Sequence, residues 1–570
     1  MKHILTPPPP FPHTHSPTYA DSMGFPLDLT QIMAGEAGMT VDADGYAASM
    51  AAQKSRAQAA QKFSRGSSAL VLEAEQTVWL SRDAGVAVTD DSSKYDWHIA
   101  PPTAVAAIYL GKDKDAQKGF LSASARADAS EGEIGVVLNS TSFYAESGGQ
   151  VSDVGELSIL PAGSADDAEP VGVVTITDVQ VFGGFVLHKG AVTTGTLGVG
   201  DRVIPRVNYE RRALIGPNHT MTHVLNFALR EVLGDGVEQR GSAVEASKLR
   251  FDYSTSKTPT PEQLARIEAI VSAQIARALP VYSKVVPLAA AKSVRGLRAV
   301  FGETYPDPVR VVSVGASIED LLANPTAPEW DGISIELCGG THIANTSRAG
   351  AFALLSDEAL AKGIRRLTAV TRDTATSAFG RAAELEGEFA VARSLSGDAL
   401  EVALNKLQTE VDSSSMSAHI KSRLRDAHAD LSKRLFVERK AAAAALVEAG
   451  TVPVLAAAAA AVASGTRFVV LDLPALRADG KVLASVLAAV RKAYPTVSIF
   501  AVSSDGSEKL QVCTSAAGDV NATTWINAAL GAHGGKGGGT PATAAGSLKN
   551  VALIGALLAD ATAWARENLK

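Results

Sequence analysis

Two pairs of metal-ligating side chains, far apart in the chain, constrain its fold more than any other feature. The first pair lies in Asn218-His219-Thr220-Met221-Thr222-His223, at the head of the apolar-periodic run Val224 to Arg230. On a helix, residues four apart point the same way, about 5–6 Å apart at Cβ. The second pair lies in Cys338-Gly339-Gly340-Thr341-His342, after Ile333 to Leu337, whose alternation predicts a strand. Its two glycines let the chain turn tightly, so that a thiolate and an imidazole can face one ion. Alone, the first pair also reads as two histidines on a solvated helix face. With the second it gives four donors, His219, His223, Cys338 and His342, soft enough for zinc and of the right number. Position 220 is Thr, where a zinc metalloprotease helix needs a glutamate base, which argues against proteolysis by that mechanism.

Composition bounds the rest. The 570 residues predict several domains, and 46% hydrophobic residues suffice for packed cores. The net charge of −7 gives no overall attraction to nucleic acid. RNA contact must then come from local basic patches, and DNA is not an expected partner. The two cysteines, Cys338 and Cys513, argue against a disulfide scaffold and suit a reducing compartment. The alanine-rich segment 453–464 is too short to span a bilayer, so no membrane partner is expected. The first residues lack a signal-peptide core and are not Arg-rich. The expected location is cytoplasmic, with the mitochondrion left open.

Prolines at 7–10, 12 and 17 predict a solvated or polyproline tail. Residues 27–65 read as helical and 68–208 as all-β, with strand runs at Ile134–Leu138, Val173–Val181 and Phe185–His188. Gly183-Gly184 between the last two signals a hairpin. Ser147-Gly148-Gly149-Gln150 reads either as a loop with free amides or as a tight turn. The histidine helix is expected to start after Pro217, with Asn218 as its N-cap. Strands through Ala243-Val244, Leu249–Tyr253 and Val309–Val314 are expected, with a helix from Pro261 to Arg277. Lys362, Arg365 and Arg366 make a basic stretch, either an RNA contact or a solvated face. Residues 373–450 predict a long helical hairpin or coiled coil, broken near Ser413-Ser414-Ser415 and closed by Gly450 as C-cap. The remainder alternates strand and helix, with Cys513 as a buried core thiol. Gly534 to Gly539 predicts a loop with free amides and one cation, suited to phosphate or RNA backbone. Lys536, Gly537, Gly538 and Gly539 are its candidate contacts. The run lacks the Lys-Ser/Thr ending of a P-loop.

The motifs His219-x-x-x-His223, Gln239-Arg240-Gly241-Ser242 and Cys338-Gly339-Gly340-Thr341-His342 resemble the editing domain of alanyl-tRNA synthetases. Free-standing alanyl-tRNA editing proteins share that domain. Gly24 to Thr30, Phe143 to Gln150 and the late glycine run fit the synthetase in the family's order, over about residues 24–570. The resemblance implies a multidomain chain. A Pro-rich tail (1–23) and a helical connector (24–67) come first. A β-barrel (68–208) and an α+β zinc-containing editing domain (209–372) follow. A long helical hairpin or coiled coil (373–450) then leads to a C-terminal α/β domain for tRNA binding and association (451–570). It also implies that the family's aminoacylation domain, which lies upstream of Gly24, is missing.

The activity implied is hydrolytic editing of serine or glycine mischarged on tRNA(Ala), with zinc as cofactor. The implied partners are the tRNA(Ala) acceptor end and a second copy of the chain in a homo-oligomer. Gln239 is carried over as a pocket residue. Thr341 reaches a seryl hydroxyl or else holds the turn, and Gly241 and Ser242 face the ester end. Two alternatives stay open. One is a fragment of alanine–tRNA ligase, the ATP-dependent aminoacylating enzyme. The other is a tRNA-binding module whose zinc is structural, since four protein ligands leave no open position.

Overall fold

The computed structural model describes residues 70–111, 117–299 and 305–569. The proline-rich tail and the connector expected over 24–67 lie outside the described residues. Two compact units divide the chain: Met1–Gly387 with Val411–Leu424, and Glu388–Glu410 with Arg425–Lys570.

In the first unit, six strands close into a barrel: β1 (Thr103–Tyr109), β2 (Glu133–Leu138), β3 (Gly155–Ile159), β4 (Gly172–Phe182), β5 (Phe185–Thr194) and β6 (Arg202–Val207). Their order is β1-β2-β5-β4-β3-β6, with β6 returning to β1. Alternate residues such as Val136, Leu157, Val174 and Val203 fill the interior, as the period of two requires. Gly183 and Gly184, both at positive φ, make the β4–β5 turn.

Helix α1 (Tyr209–Leu233) follows the barrel directly, with Asn208 as its N-cap. The expected start at Asn218 is thus corrected: the helix begins well upstream and carries Pro217 in its interior. A proline there removes the hydrogen bond to the carbonyl four residues back. The freed Ala213 carbonyl accepts instead from Arg372 Nη1 at 2.9 Å. Asn218 does not cap. Its amide donates to the Glu245 carbonyl and its oxygen accepts from Thr371 Oγ1, both at 2.8 Å.

The helix packs Val224, Leu225 and Ala228 against a sheet through Phe251, Tyr253 and Leu367. That sheet comprises β7 (Gln239–Val244), β8 (Leu249–Ser254), β13 (Phe352–Ala361) and β14 (Ile364–Thr371), in the order β13-β14-β8-β7. Helix α2 (Pro261–Ala276) has Thr260 and Gln263 in a capping box with Pro261 in its first turn. A second sheet holds β9 (Val281–Val286), β10 (Leu297–Arg298), β11 (Val309–Val314) and β12 (Ser334–Leu337), ordered β9-β11-β12-β10. The basic stretch on β14 is internally engaged: Arg365 donates to Asp357 and Arg366 to Asp252.

Helices α3 (Arg372–Ala392), α4 (Gly397–Ser413) and α5 (Ala418–Ala463) come next. The break near Ser413 to Ser415 is present, but Gly450 lies inside α5 and caps nothing. A Cβ at Gly450 would stand 2.9 Å from Leu476 Cδ2 and 3.0 Å from Val486 Cγ2, so close packing explains this glycine. By length and composition α5 is long and apolar enough to cross a membrane. Its Val454, Ala458 and Ala461 are buried in the second unit's core with Leu476 and Val486. That unit has a five-stranded sheet ordered β15-β16-β17-β19-β18: β15 (Phe468–Asp472), β16 (Ser498–Ser504), β17 (Leu510–Ser515), β18 (Gly537–Gly539) and β19 (Thr543–Leu548). Helices α6 (Gly480–Ala493), α7 (Ala522–Gly531) and α8 (Ile554–Asn568) complete it. Cys513 is a core thiol, and burial pushes its pKa up to about 11.

Candidate metal centre and adjoining cavity

The helix period places His219 and His223 on one face of α1, their rings stacked with centroids 5.4 Å apart. Strand β12 ends in the Cys338–His342 turn, which brings the other pair against them. Ligand atoms of all four residues lie within 4.8 Å of one another. Cys338 Sγ is 3.3 Å from His219 Nε2 and 3.4 Å from His342 Nε2. A tetrahedral zinc with arms of about 2.0–2.3 Å has edges of roughly 3.3–3.8 Å, which the two Cys338–His separations match.

The outer nitrogens fix the tautomers. Gln150 Oε1 accepts from the Thr341 backbone N–H at 3.0 Å and from His219 Nδ1 at 2.5 Å. Its amide nitrogen donates to Thr341 Oγ1 at 2.9 Å. Glu336 takes His223 Nδ1 on one carboxylate oxygen and Asn226 Nδ2, at 2.8 Å, on the other. Thr220 Oγ1 gives its proton to the Gly216 carbonyl at 2.9 Å, so it accepts from His342 Nδ1 at 3.2 Å. Each imidazole therefore carries its proton on Nδ1 and turns Nε2 inward, the arrangement that orients metal-binding histidines. His223 Nε2 is buried and has no partner among the described residues. With a thiolate among the donors, that orphaned atom is what a bound zinc would satisfy.

The charges agree. Burial opposes ionisation of Cys338, but His219, His223 and His342 hold its thiol well below the usual range. Burial likewise opposes a charge on His223, yet Glu336 and Cys338 raise it to about 10, so without a metal its Nε2 holds a second proton, which a bound cation would displace. Burial lowers His342 to about 3. Cys338 and Glu336 thus both favour positive charge at the centre of the cluster.

The turn is held from outside. Arg310 Nη1 donates to the carbonyls of Cys338 and Gly340 at 3.0 and 2.9 Å. Its guanidinium lies 3.9 Å from the Tyr95 ring centroid, and Tyr95 donates to the Gly339 carbonyl at 3.1 Å. A Cβ on Gly340 would overlap the His219 ring. The barrel is joined to α1 by buried Arg212, which pairs with Asp153 and donates to the Ser142 carbonyl at 2.7 Å.

A cavity of about 1010 Å³ opens beside the cluster. His219, His223 and Cys338 line it, with Gln239, Gly241 and Ser242 also in its wall. Gln239 Nε2 donates to Ser242 Oγ at 3.2 Å. Thr341 does not line the cavity: it is buried against Gln150, and its hydroxyl accepts from that amide. Glu336, Thr220, Arg310 and Tyr95 carry no local signal of a role in this site. Gln150 alone was visible, as the end of the Ser147–Gln150 turn.

The candidate RNA contacts Lys536 to Gly539 lie in the other unit. The expectation of a free glycine loop is corrected, because Gly537–Gly539 form strand β18, paired with β19. Gly537 N–H donates to Asn527 Oδ1 at 2.8 Å, so that amide is used. Lys536 is exposed.

Three sequence families match. Residues 11–211 match "tRNA synthetases class II (A)", residues 309–368 the "Threonyl and Alanyl tRNA synthetase second additional domain", and residues 465–567 the "DHHA1 domain". The second match contains Cys338 and His342, whereas His219 and His223 fall between the first two. The cytoplasmic alanine–tRNA ligase of Dictyostelium discoideum is 46% identical over 66% of this chain and 38% of its own length. The alanine–tRNA ligase of Candida albicans is 36% identical over 91% of this chain and 52% of its own, and the cytoplasmic one of Bombyx mori 35% over 96% and 57%. The chain thus spans between a third and three-fifths of these relatives' lengths. RecJ from Thermus thermophilus, a solved structure, overlaps 31% of this chain and 28% of its own, with a TM-score of 0.18 and 19% identity.

The matched segments mark a chain of the class II aminoacyl-tRNA synthetase type, with a second additional domain and a DHHA1 domain. Within that class the relatives it resembles are alanine–tRNA ligases. The expectation that the aminoacylation domain is missing is not supported, because the class II match covers residues 11–211. The described part of that match comprises the barrel and the start of α1.

Proposed function

We propose that this chain works as part of an alanine–tRNA ligase, and that the cavity beside the metal cluster hydrolyses serine or glycine wrongly esterified to tRNA(Ala). The class II match and the relatives' names favour the ligase setting over a free-standing editing factor. The observation that carries the hydrolytic reading is the cluster itself: four converging donors, three pre-oriented imidazoles, and an open cavity on one side. Editing is needed because a pocket shaped for alanine cannot strongly reject the smaller glycine.

His219, His223, Cys338 and His342 would hold the zinc. When bound, such an ion polarises an ester carbonyl or acidifies a water. Gln239 and Ser242 share the cavity with the cluster and would orient the aminoacyl group. Gln150 keeps His219 in its tautomer and holds Thr341 away from the substrate. The full set of four protein donors favours a second reading, in which the metal is structural and shapes the site. The acceptor end of tRNA(Ala) is the proposed partner, with Lys536 and residues 451–570 contacting RNA or a second copy of the chain. The cytoplasm is the proposed location, as for several relatives by name.

Serine released from seryl-tRNA(Ala) by the wild type and by Cys338→Ala tests this. Rapid release that the variant loses is expected. Release unchanged in the variant would remove the cluster from the chemistry.

A further inference from the structure

The cavity carries cations that the cluster does not use. Arg298 on β10 and Arg230 in the last turn of α1 both line it. Nε and Nη1 of Arg298 and Nε of Arg230 are buried, with no hydrogen-bond partner among the described residues. Among the described residues Arg230 donates from Nη2 to exposed Asp235 at 3.1 Å. Buried donors of a charged group are costly to leave unmet, so such atoms point to a missing acceptor. The guanidinium of Arg298 sits 5.4 Å from the Phe227 ring centroid, so one of its faces is packed. Its register partner on the parallel strand β12 is Glu336, and neighbouring strands are about 4.8 Å apart. Yet Glu336 already accepts on both oxygens, from His223 and from Asn226. Arg298 thus stands one strand away from the residue that orients a cluster histidine, with donors unspent.

We infer that Arg298, assisted by Arg230, receives the phosphodiester that joins the terminal nucleoside to the rest of an RNA strand. The inference rests on the hydrolytic reading above. An acyl ester on the terminal ribose lies one sugar away from that phosphate, so an ester held at the cluster brings the phosphate into the same cavity. The volume of about 1010 Å³ holds a nucleotide. Phosphate oxygens match the fork of a guanidinium and offer acceptors to several N–H groups at once. Arg298 is a positioning residue: it fixes where the ester sits and takes no part in bond making.

The test uses the full-length chain and an RNA hairpin with the tRNA(Ala) acceptor end. In one version the terminal phosphodiester is replaced by a neutral methylphosphonate. Wild type should bind the neutral version about 10-fold more weakly, the scale of a lost charge-assisted hydrogen bond. Arg298→Gln should bind both versions within about twofold of each other, and Arg298→Lys should fall between, because it keeps charge without the fork. With seryl-tRNA(Ala), Arg298→Gln should raise KM about 10-fold and leave kcat within about twofold. Hydrolysis of 3′-O-seryladenosine, which has no phosphate, should not change.

Indifference of the wild type to the linkage overturns the inference, as does discrimination that survives in Arg298→Gln. Loss of zinc from Arg298→Gln overturns it too, since Arg298 would then be supporting Glu336. If the wild type hydrolyses neither ester but still discriminates the linkage through Arg298, the hydrolytic reading fails and the phosphate seat stands.

Discussion

Gly339-Gly340 and the run from Gly534 to Gly539 look alike as sequence and differ in what stands where a side chain would be. At Gly340 that place is taken by the ring of His219, with Gln150 Oε1 only 3.0 Å away. At Gly537 it is taken by Ile526, whose Cγ2 would be 2.5 Å from a Cβ, and at Gly546 by Leu530 Cδ1 at the same distance. One glycine clears room for a ligand, the others for a helix packed on a sheet. Within such a run only some glycines mark close approach, Gly340 and Gly537 but not Gly339, Gly534 or Gly538, and the partner that approaches decides whether the result is a site or a core.

The largest effect that separates the two regions is expected from Gly340→Ala. The methyl displaces His219, so metal affinity should fall at least about 100-fold, more than the loss of an outer hydrogen bond. Metal analysis after dialysis checks it. Gly339→Ala is the control, because nothing lies within 4 Å of a Cβ there and zinc should be retained. Equal zinc in both variants would break the comparison. Next is Gln150→Ala, which removes the acceptor for His219 and for the Thr341 N–H. Competition with a chelator should show about a 10- to 100-fold weaker site.

Overpacking at Gly537→Ala should destabilise the second unit by about 1–3 kcal/mol in a denaturant titration. Zinc content should not move, and a loss of zinc would couple two regions that the account keeps apart. The smallest effect is expected from Lys536→Gln. If this exposed lysine meets RNA backbone, the slope of log K against log salt should fall by about 0.7. An unchanged slope would leave the glycine run as architecture only.

What could be read from the sequence follows the range of the interactions. His219 and His223 were legible because a helix repeats every 3.6 residues, and Cys338 and His342 because a strand and a glycine turn are local patterns. Gln150 and Glu336 were not, because their partners arrive from 69 and 113 positions away. Pro217 gave a false helix start for the same reason. The rule that proline ends a helix holds until a distant donor, here Arg372, satisfies the freed carbonyl. Gly450 misled likewise, since the cap rule cannot see Leu476 and Val486 against the helix. The barrel strands were visible by alternation, whereas β18 was hidden because glycine has no side chain to alternate.

The most direct measurement strips zinc from the purified chain with a chelator and returns it stepwise. At each step the release of amino acid from seryl-tRNA(Ala) and from alanyl-tRNA(Ala) is followed. Serine release should rise in proportion to bound zinc and level off at one ion per chain, with alanine release far slower throughout. Serine release that ignores zinc, or equal loss of the two amino acids, would contradict the account.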